Sequence, residues 1–121
     1  LVAEDNRVNQ QFLISLLKKL GFSTRSSYNG QEALACWCKG GVDLILMDIQ
    51  MPVMDGFEAL RLLRQEEQDG AGRTPVIALT GHALRGDREH LLEQGFDGYL
   101  AKPLTLEALL EELQRVIGSS R

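Results

Sequence analysis

The chain has 121 residues, 44% hydrophobic and 25% charged, which suffices for one globular domain with a sizeable apolar core and leaves no room for a second. Its formal net charge of −4 provides no field to draw nucleic-acid phosphates or an anionic membrane surface, which excludes phosphate-backbone binding as a leading function. No apolar run reaches membrane-spanning length and no secretory signal pattern opens the chain, so a reducing, cytoplasmic setting is expected.

The opening apolar residues form a first strand, stopped by two adjacent carboxylates, Glu4 and Asp5. Val8, Phe12, Leu13, Leu16, Leu17 and Leu20 then recur at the spacing of one helix face, with Gly21 as a stop signal, so "NRVNQQFLISLLKKLG" is predicted as a helix. "FSTRSS" has the β-favouring composition of a short strand, and "GQEALACWCKGG" is helical, closed by paired glycines. On that helix Cys36 and Cys38 point to nearly opposite sides, which suits neither a disulfide nor a metal clamp; both are expected to be small, buried or half-buried thiols. Trp37 between them is expected at the surface or in the partial core.

"VDLILMD" and "TPVIALT" are compact apolar runs with the look of strands covered on both faces, and "GFEALRLLRQEEQDGAG" between them reads as a helix running into a Gly-rich loop. "ALRGDREHLLEQG" is a weak helix, interrupted by Gly86 and poor in apolar positions; the mixed charges of "RGDREH" mark a solvated face. "FDGYLAK" is the last strand, and Leu106, Leu109, Leu110, Leu113, Val116 and Ile117 trace a clearly amphipathic final helix.

Five strands alternating with five helices imply βαβ units with right-handed crossovers and a doubly wound parallel sheet. In such sheets ligands bind beyond the C-terminal strand ends, near the reversal of strand order. Those places hold Glu4 and Asp5, then Asp48, Thr80, and Lys102 followed by Pro103. In the strand order 2-1-3-4-5 these side chains converge on one pocket. Clustered carboxylates repel unless a proton or cation sits among them, and a few hard oxygen ligands completed by water suit Mg²⁺. Lys102 by charge and Thr80 by hydrogen bond are suited to holding a phosphoryl oxygen, and an Asp carboxylate is itself a competent nucleophile at phosphorus.

The stretches "VAEDN", "LILMDIQMPVMDG", "PVIALTGHA" and "YLAKP" resemble, in order and spacing over essentially the whole chain, the marker segments of the response-regulator receiver domain. The resemblance implies a flavodoxin-like fold with Asp48 as phosphoacceptor, Asp5 binding Mg²⁺ (or Mn²⁺) directly, and Glu4 supporting the metal through water. It further implies that the Gln50 backbone carbonyl completes the protein ligands and that Thr80 and Lys102 bind the phosphoryl oxygens. Tyr99 matches the aromatic switch position, Gln50 and His82 the pocket-rim positions that tune phosphoryl lifetime, and Pro103 a cis peptide. The implied phosphoryl donor is a histidine kinase or histidine phosphotransfer domain. "EDNRVNQ" is most like receivers of hybrid sensor histidine kinases, and the start on Leu1 rather than Met reads as residues 1–121 forming a single receiver domain cut from such a longer chain. Glu4 departs from the commoner Asp by one methylene.

Each residue also has a local reading. Asp5 or Asn6 can cap the first helix, Thr80 the weak one, and "MDG" can be a turn. A Lys before a Pro serves little local purpose, and the coincidence of all four places at strand ends favours the joint reading. His82 and His90 lack an evident base or metal partner and are expected to be exposed. Two rival functions remain: a Mg²⁺-dependent phosphatase with an Asp nucleophile, which wants a second Asp where Gln50 stands and a cap insertion, and a receiver-like docking module, marked by loss of core residues that are all present.

Overall fold

The computed structural model describes residues 1–67, 73–81, 87–102 and 104–117. Strands β1 (Val2–Ala3), β2 (Ser26–Ser27), β3 (Ile45–Asp48), β4 (Val76–Thr80) and β5 (Gly98–Ala101) alternate with helices α1 (Arg7–Lys19), α2 (Gly30–Cys38), α3 (Gly56–Glu67), α4 (Asp87–Gln94) and α5 (Leu106–Ile117). All pairings are parallel, in the order β2-β1-β3-β4-β5. This is the doubly wound α/β architecture that the alternation of elements predicts.

Successive strand residues face opposite sides of the sheet, and both sides are covered. Ile45, Met47, Val76 and Ala78 join Ala33, Leu60, Leu63, Leu91 and Phe96 in a core beneath α2, α3 and α4. Leu46, Ile77 and Leu79 join Leu13, Leu17, Leu109 and Leu113 beneath α1 and α5. The near-continuous apolar runs of β3 and β4 follow directly, since neither face meets water.

Helix α1 is fixed at both ends. Asn6 caps it, its Oδ1 accepting the Asn9 backbone N–H at 3.0 Å, so the capping role open to Asp5 or Asn6 falls to Asn6. At the other end Gly21, at φ 94°, donates to the Lys18 carbonyl while Phe22 donates to Leu17, a Schellman closure that the left-handed glycine permits. The predicted apolar face needs correction. Val8 and Phe12 are 75% and 44% exposed, whereas Gln10 is buried beside Leu13, Leu16 and Leu17. At 3.6 residues per turn Val8 lies about 140° around the axis from Leu13, off the buried stripe. Gln10 takes a core position because its amide meets two backbone carbonyls, those of Glu4 (3.2 Å) and Ser27 (2.8 Å).

The strands are shorter than their apolar runs. "FSTRSS" contributes only Ser26–Ser27, because β2 pairs with β1 alone and β1 is two residues long. Helix α4 is described over Asp87–Gln94; residues 82–86, into which the predicted helix extends, lie outside the described residues, as do 68–72 after α3, and Pro103. Of "RGDREH", Glu89 and His90 are exposed, His90 with its ring 5.9 Å from that of Phe57. Cys36 is half-buried, but Cys38 is exposed, since its side of α2 turns away from the sheet; both are free thiols. Trp37 packs partly against the core and donates to Thr74 Oγ1 at 2.9 Å. Among the described residues no helix is long and apolar enough to cross a membrane.

The loop from β3 to α3 is folded tightly back on the strand end. A Cβ on Gly56 would collide with the Asp48 carbonyl oxygen and lie 2.8 Å from Ile49 Cα, so the glycine of "MDG" is demanded by close approach. Gly56→Ala is expected to lower unfolding free energy by about 1–3 kcal/mol, the usual cost of overpacking, as measured by urea denaturation; an unchanged midpoint would contradict this close packing.

Candidate functional site

The fold brings four strand ends to one edge of the sheet. Glu4 follows β1, with its N–H donating to the Ser27 carbonyl at 3.1 Å; Asp48 and Thr80 are the last residues of β3 and β4; and Lys102 follows β5, its N–H donating to the Thr80 carbonyl at 2.8 Å. Lys102 Nζ lies 2.8 Å from Asp48 Oδ2 and 3.2 and 3.3 Å from the two Glu4 oxygens. The Glu4 side chain is fully buried and that of Asp48 is 5% exposed, so both charges depend on partners rather than water. Asp48 Oδ1 accepts the Gln50 backbone N–H at 2.9 Å, and Glu4 Oε1 accepts Asn9 Nδ2 at 3.2 Å.

Carboxylate oxygens of Glu4, Asp5 and Asp48 lie within 4.8 Å of one another. Three carboxylates against one ammonium leave excess negative charge, and all the donors are hard oxygens, with Asp5 open to solvent. That donor set fits a small divalent cation with part of its water shell retained.

Burial raises the Glu4 carboxyl from its ordinary 4.5 to about 7; hydrogen bonding to Asp48 and its charge add to the rise, while Lys102 and Asn9 oppose it. For Lys102, burial disfavours the ammonium, but the hydrogen bond and charge of Asp48, followed by Glu4, outweigh it and raise the group above its ordinary value. The lysine is therefore cationic at neutral pH.

The profile of the response regulator receiver domain family matches residues 1–114. The chain belongs to this family. It is a receiver domain of two-component signalling. Among curated relatives it is 41% identical over 122 residues to Hybrid signal transduction histidine kinase I of Dictyostelium discoideum, an alignment covering 97% of this chain and 7% of that protein. Among solved structures, the receiver domain of sensor histidine kinase PA1611 from Pseudomonas aeruginosa PAO1, with a magnesium ion coordinated in its active site cleft, superposes with a TM-score of 0.84 at 42% identity, covering 97% of this chain and 94% of that one. The receiver domain of Saccharomyces cerevisiae Ssk1, co-crystallised with the histidine phosphotransfer protein Ypd1, gives 0.88 at 35% identity, covering 99% and 89%.

In this receiver domain Glu4, Asp5, Asp48 and Lys102 stand together. The buried Thr80 ends the neighbouring strand. Tyr99 is not part of the cluster: its register partner is Ala78, its side chain packs partly against the core beneath α2–α4, and its N–H donates to Glu112 Oε2 of α5 at 2.7 Å. The Gln50 N–H donates to Asp48 Oδ1 at 2.9 Å. His82 lies outside the described residues. Sequence reasoning missed the supporting role of Asn9 and Gln10; the one available signal was a glutamine beside the apolar spacing of α1.

The raised Glu4 value has a signed consequence for stability. Between the unfolded value of 4.5 and the folded value of about 7 the native state holds the extra proton, so this contribution is complete below the unfolded value and is lost as pH rises through the folded one. Chemical denaturation in EDTA should find the stability of the native sequence falling relative to Glu4→Gln as pH rises from about 5 to about 8; a pH-independent difference would contradict the assignment.

Proposed function

We propose that this domain accepts a phosphoryl group from a partner phosphohistidine onto Asp48. The observation that carries this reading is the state of the Asp48 carboxylate: at the sheet edge, nearly dehydrated, with one oxygen held by the Gln50 N–H and the other by the Lys102 ammonium, beside two further carboxylates. An ionised carboxylate has more acceptor sites than these two donors use, so it remains a nucleophile while its orientation is fixed.

In the proposed step an Asp48 oxygen attacks phosphorus in line, a P–O bond forms, the P–N bond breaks, and its electron pair returns to the donor imidazole. Lys102, already between Glu4 and Asp48, passes to a transferred oxygen, and the Thr80 hydroxyl donates to another. Asp5, Asp48 and the Gln50 carbonyl would hold Mg²⁺, with Glu4 supporting it through water; the ion supplies positive charge against the phosphoryl oxygens, and Mn²⁺ would serve similarly. The magnesium recorded in the PA1611 receiver and the Ypd1 complex of the Ssk1 receiver support this cofactor and a histidine phosphotransfer or histidine kinase partner.

Phosphorylation then acts as a switch. The new charge draws Thr80 inward, Tyr99 turns toward the interior, and the α4–β5–α5 surface changes. Support comes from α4, where Leu91 is the buried side chain among the described residues, so little apolar packing resists its movement. His82 and Gln50, at the rim, tune the lifetime of the acyl phosphate. The domain itself turns over no external substrate. Its likeness to receivers of sensor and hybrid histidine kinases supports residues 1–121 working as a receiver unit of such a parent, and a cytoplasmic setting goes with that reading.

Incubation with a phosphohistidine-carrying phosphotransfer domain tests the reading. Radiolabel should move to this protein in an acid-stable, base-labile form and fail to move to Asp48→Asn; undiminished labelling of the variant would refute the acceptor assignment.

A further inference from the structure

We propose that Asn9 is a positioning residue for Glu4, fixing the rotation of the buried carboxylate so that it supports the metal. The inference rests on the reading of the Asp48 pocket as a Mg²⁺-dependent phosphoacceptor site.

Glu4 carries one more rotatable bond than an aspartate, and its carboxylate is fully buried, so its direction must be set by neighbours. Lys102 does not set it. The ammonium sits almost equally far from the two oxygens, 3.2 and 3.3 Å, and is also shared with Asp48. Asn9 breaks that symmetry, donating from Nδ2 to Oε1 at 3.2 Å.

Both ends of this contact are anchored. The Asn9 backbone N–H is held by the Asn6 cap at 3.0 Å, in the first turn of α1. The Glu4 backbone is held on one side by its N–H to the Ser27 carbonyl (3.1 Å) and on the other by its carbonyl, which accepts from the Gln10 amide (3.2 Å). The same Gln10 nitrogen donates to Ser27 (2.8 Å), so Asn9 and Gln10 together tie the start of α1 to β1 and the end of β2. An amide donor is neutral. It orients the carboxylate without placing a second positive charge beside a cation, which a lysine or arginine there would do.

The test is the Mg²⁺ dissociation constant, read from backbone amide shifts in an NMR titration of the unphosphorylated protein. Asn9→Ala retains the backbone N–H that the Asn6 cap uses and favours helix, so the variant should fold, with metal-free urea denaturation as the check. Loss of an outer-shell partner should weaken Mg²⁺ binding by about tenfold. In a Glu4→Asp background the carboxylate is withdrawn by one methylene, which takes a 3.2 Å contact out of hydrogen-bond range, so Asn9→Ala should cause no further weakening. Equal Mg²⁺ affinity of the native sequence and Asn9→Ala would overturn the inference and leave the functional reading standing. Equal weakening in both backgrounds would also overturn it, because Asn9 would then not act through Glu4. No saturable Mg²⁺ response in the native sequence would instead remove the reading on which the inference rests.

Discussion

The structure depends on one ammonium group. Lys102 comes from beyond the edge strand β5, yet its Nζ reaches past β4 to Asp48 on β3 and Glu4 just after β1. Without it two buried carboxylates would face each other across a space with little water to screen them. The contact therefore does two things. It makes the acidic pocket tolerable in the folded state, and it holds a mobile positive charge beside the carboxylate read here as the nucleophile. The same cation that stabilises the resting site is the group best placed to follow negative charge as it arrives.

Everything beneath that contact positions its members. The parallel sheet sends all five strands the same way, so residues far apart in sequence meet at one edge, and two separate apolar cores hold the strands from above and below. Gly56 lets the loop after β3 press against the Asp48 carbonyl, and the Gln50 N–H then reaches the Asp48 side chain. On the other side Asn6, Asn9 and Gln10 fold the start of α1 around Glu4. Packing of this kind is stiff. Among the described residues of α4, Leu91 is buried while Leu92 is 40% exposed, so its apolar anchoring is slight.

The fold was largely legible in the sequence because its signals are local. Apolar runs mark β3 and β4, Gly21 closes α1 as a left-handed residue, and the leucine spacing of α5 sets its bounds. The gathering of Glu4, Asp5, Asp48 and Lys102 was legible too, since strand order converts positions after strands into neighbours. What escaped were relations decided by tertiary contact. Val8 and Phe12 look like core residues by spacing but fall outside the stripe that the sheet covers, while Gln10 looks polar and is buried because two carbonyls await it. Tyr99 sits opposite Ala78, two residues before the Thr80–Ala101 pair, with its side chain packed partly against the core, a placement that only the sheet register decides. The donors that orient Asp48 and Glu4 come from a backbone N–H and a side-chain amide, neither of which leaves a distinctive mark in a single sequence.

The central claim is that Asp48 carries the phosphoryl group in a reaction that needs the acidic pocket loaded with metal. Acetyl phosphate treatment with Mg²⁺ or with EDTA, followed by borohydride reduction and peptide mass mapping, tests it directly, because reduction permanently marks an acyl phosphate where it formed. The account predicts one reduced site, at position 48, in the Mg²⁺ sample and none in EDTA. A mark at another carboxylate, or equal marking at position 48 without the metal, would contradict it.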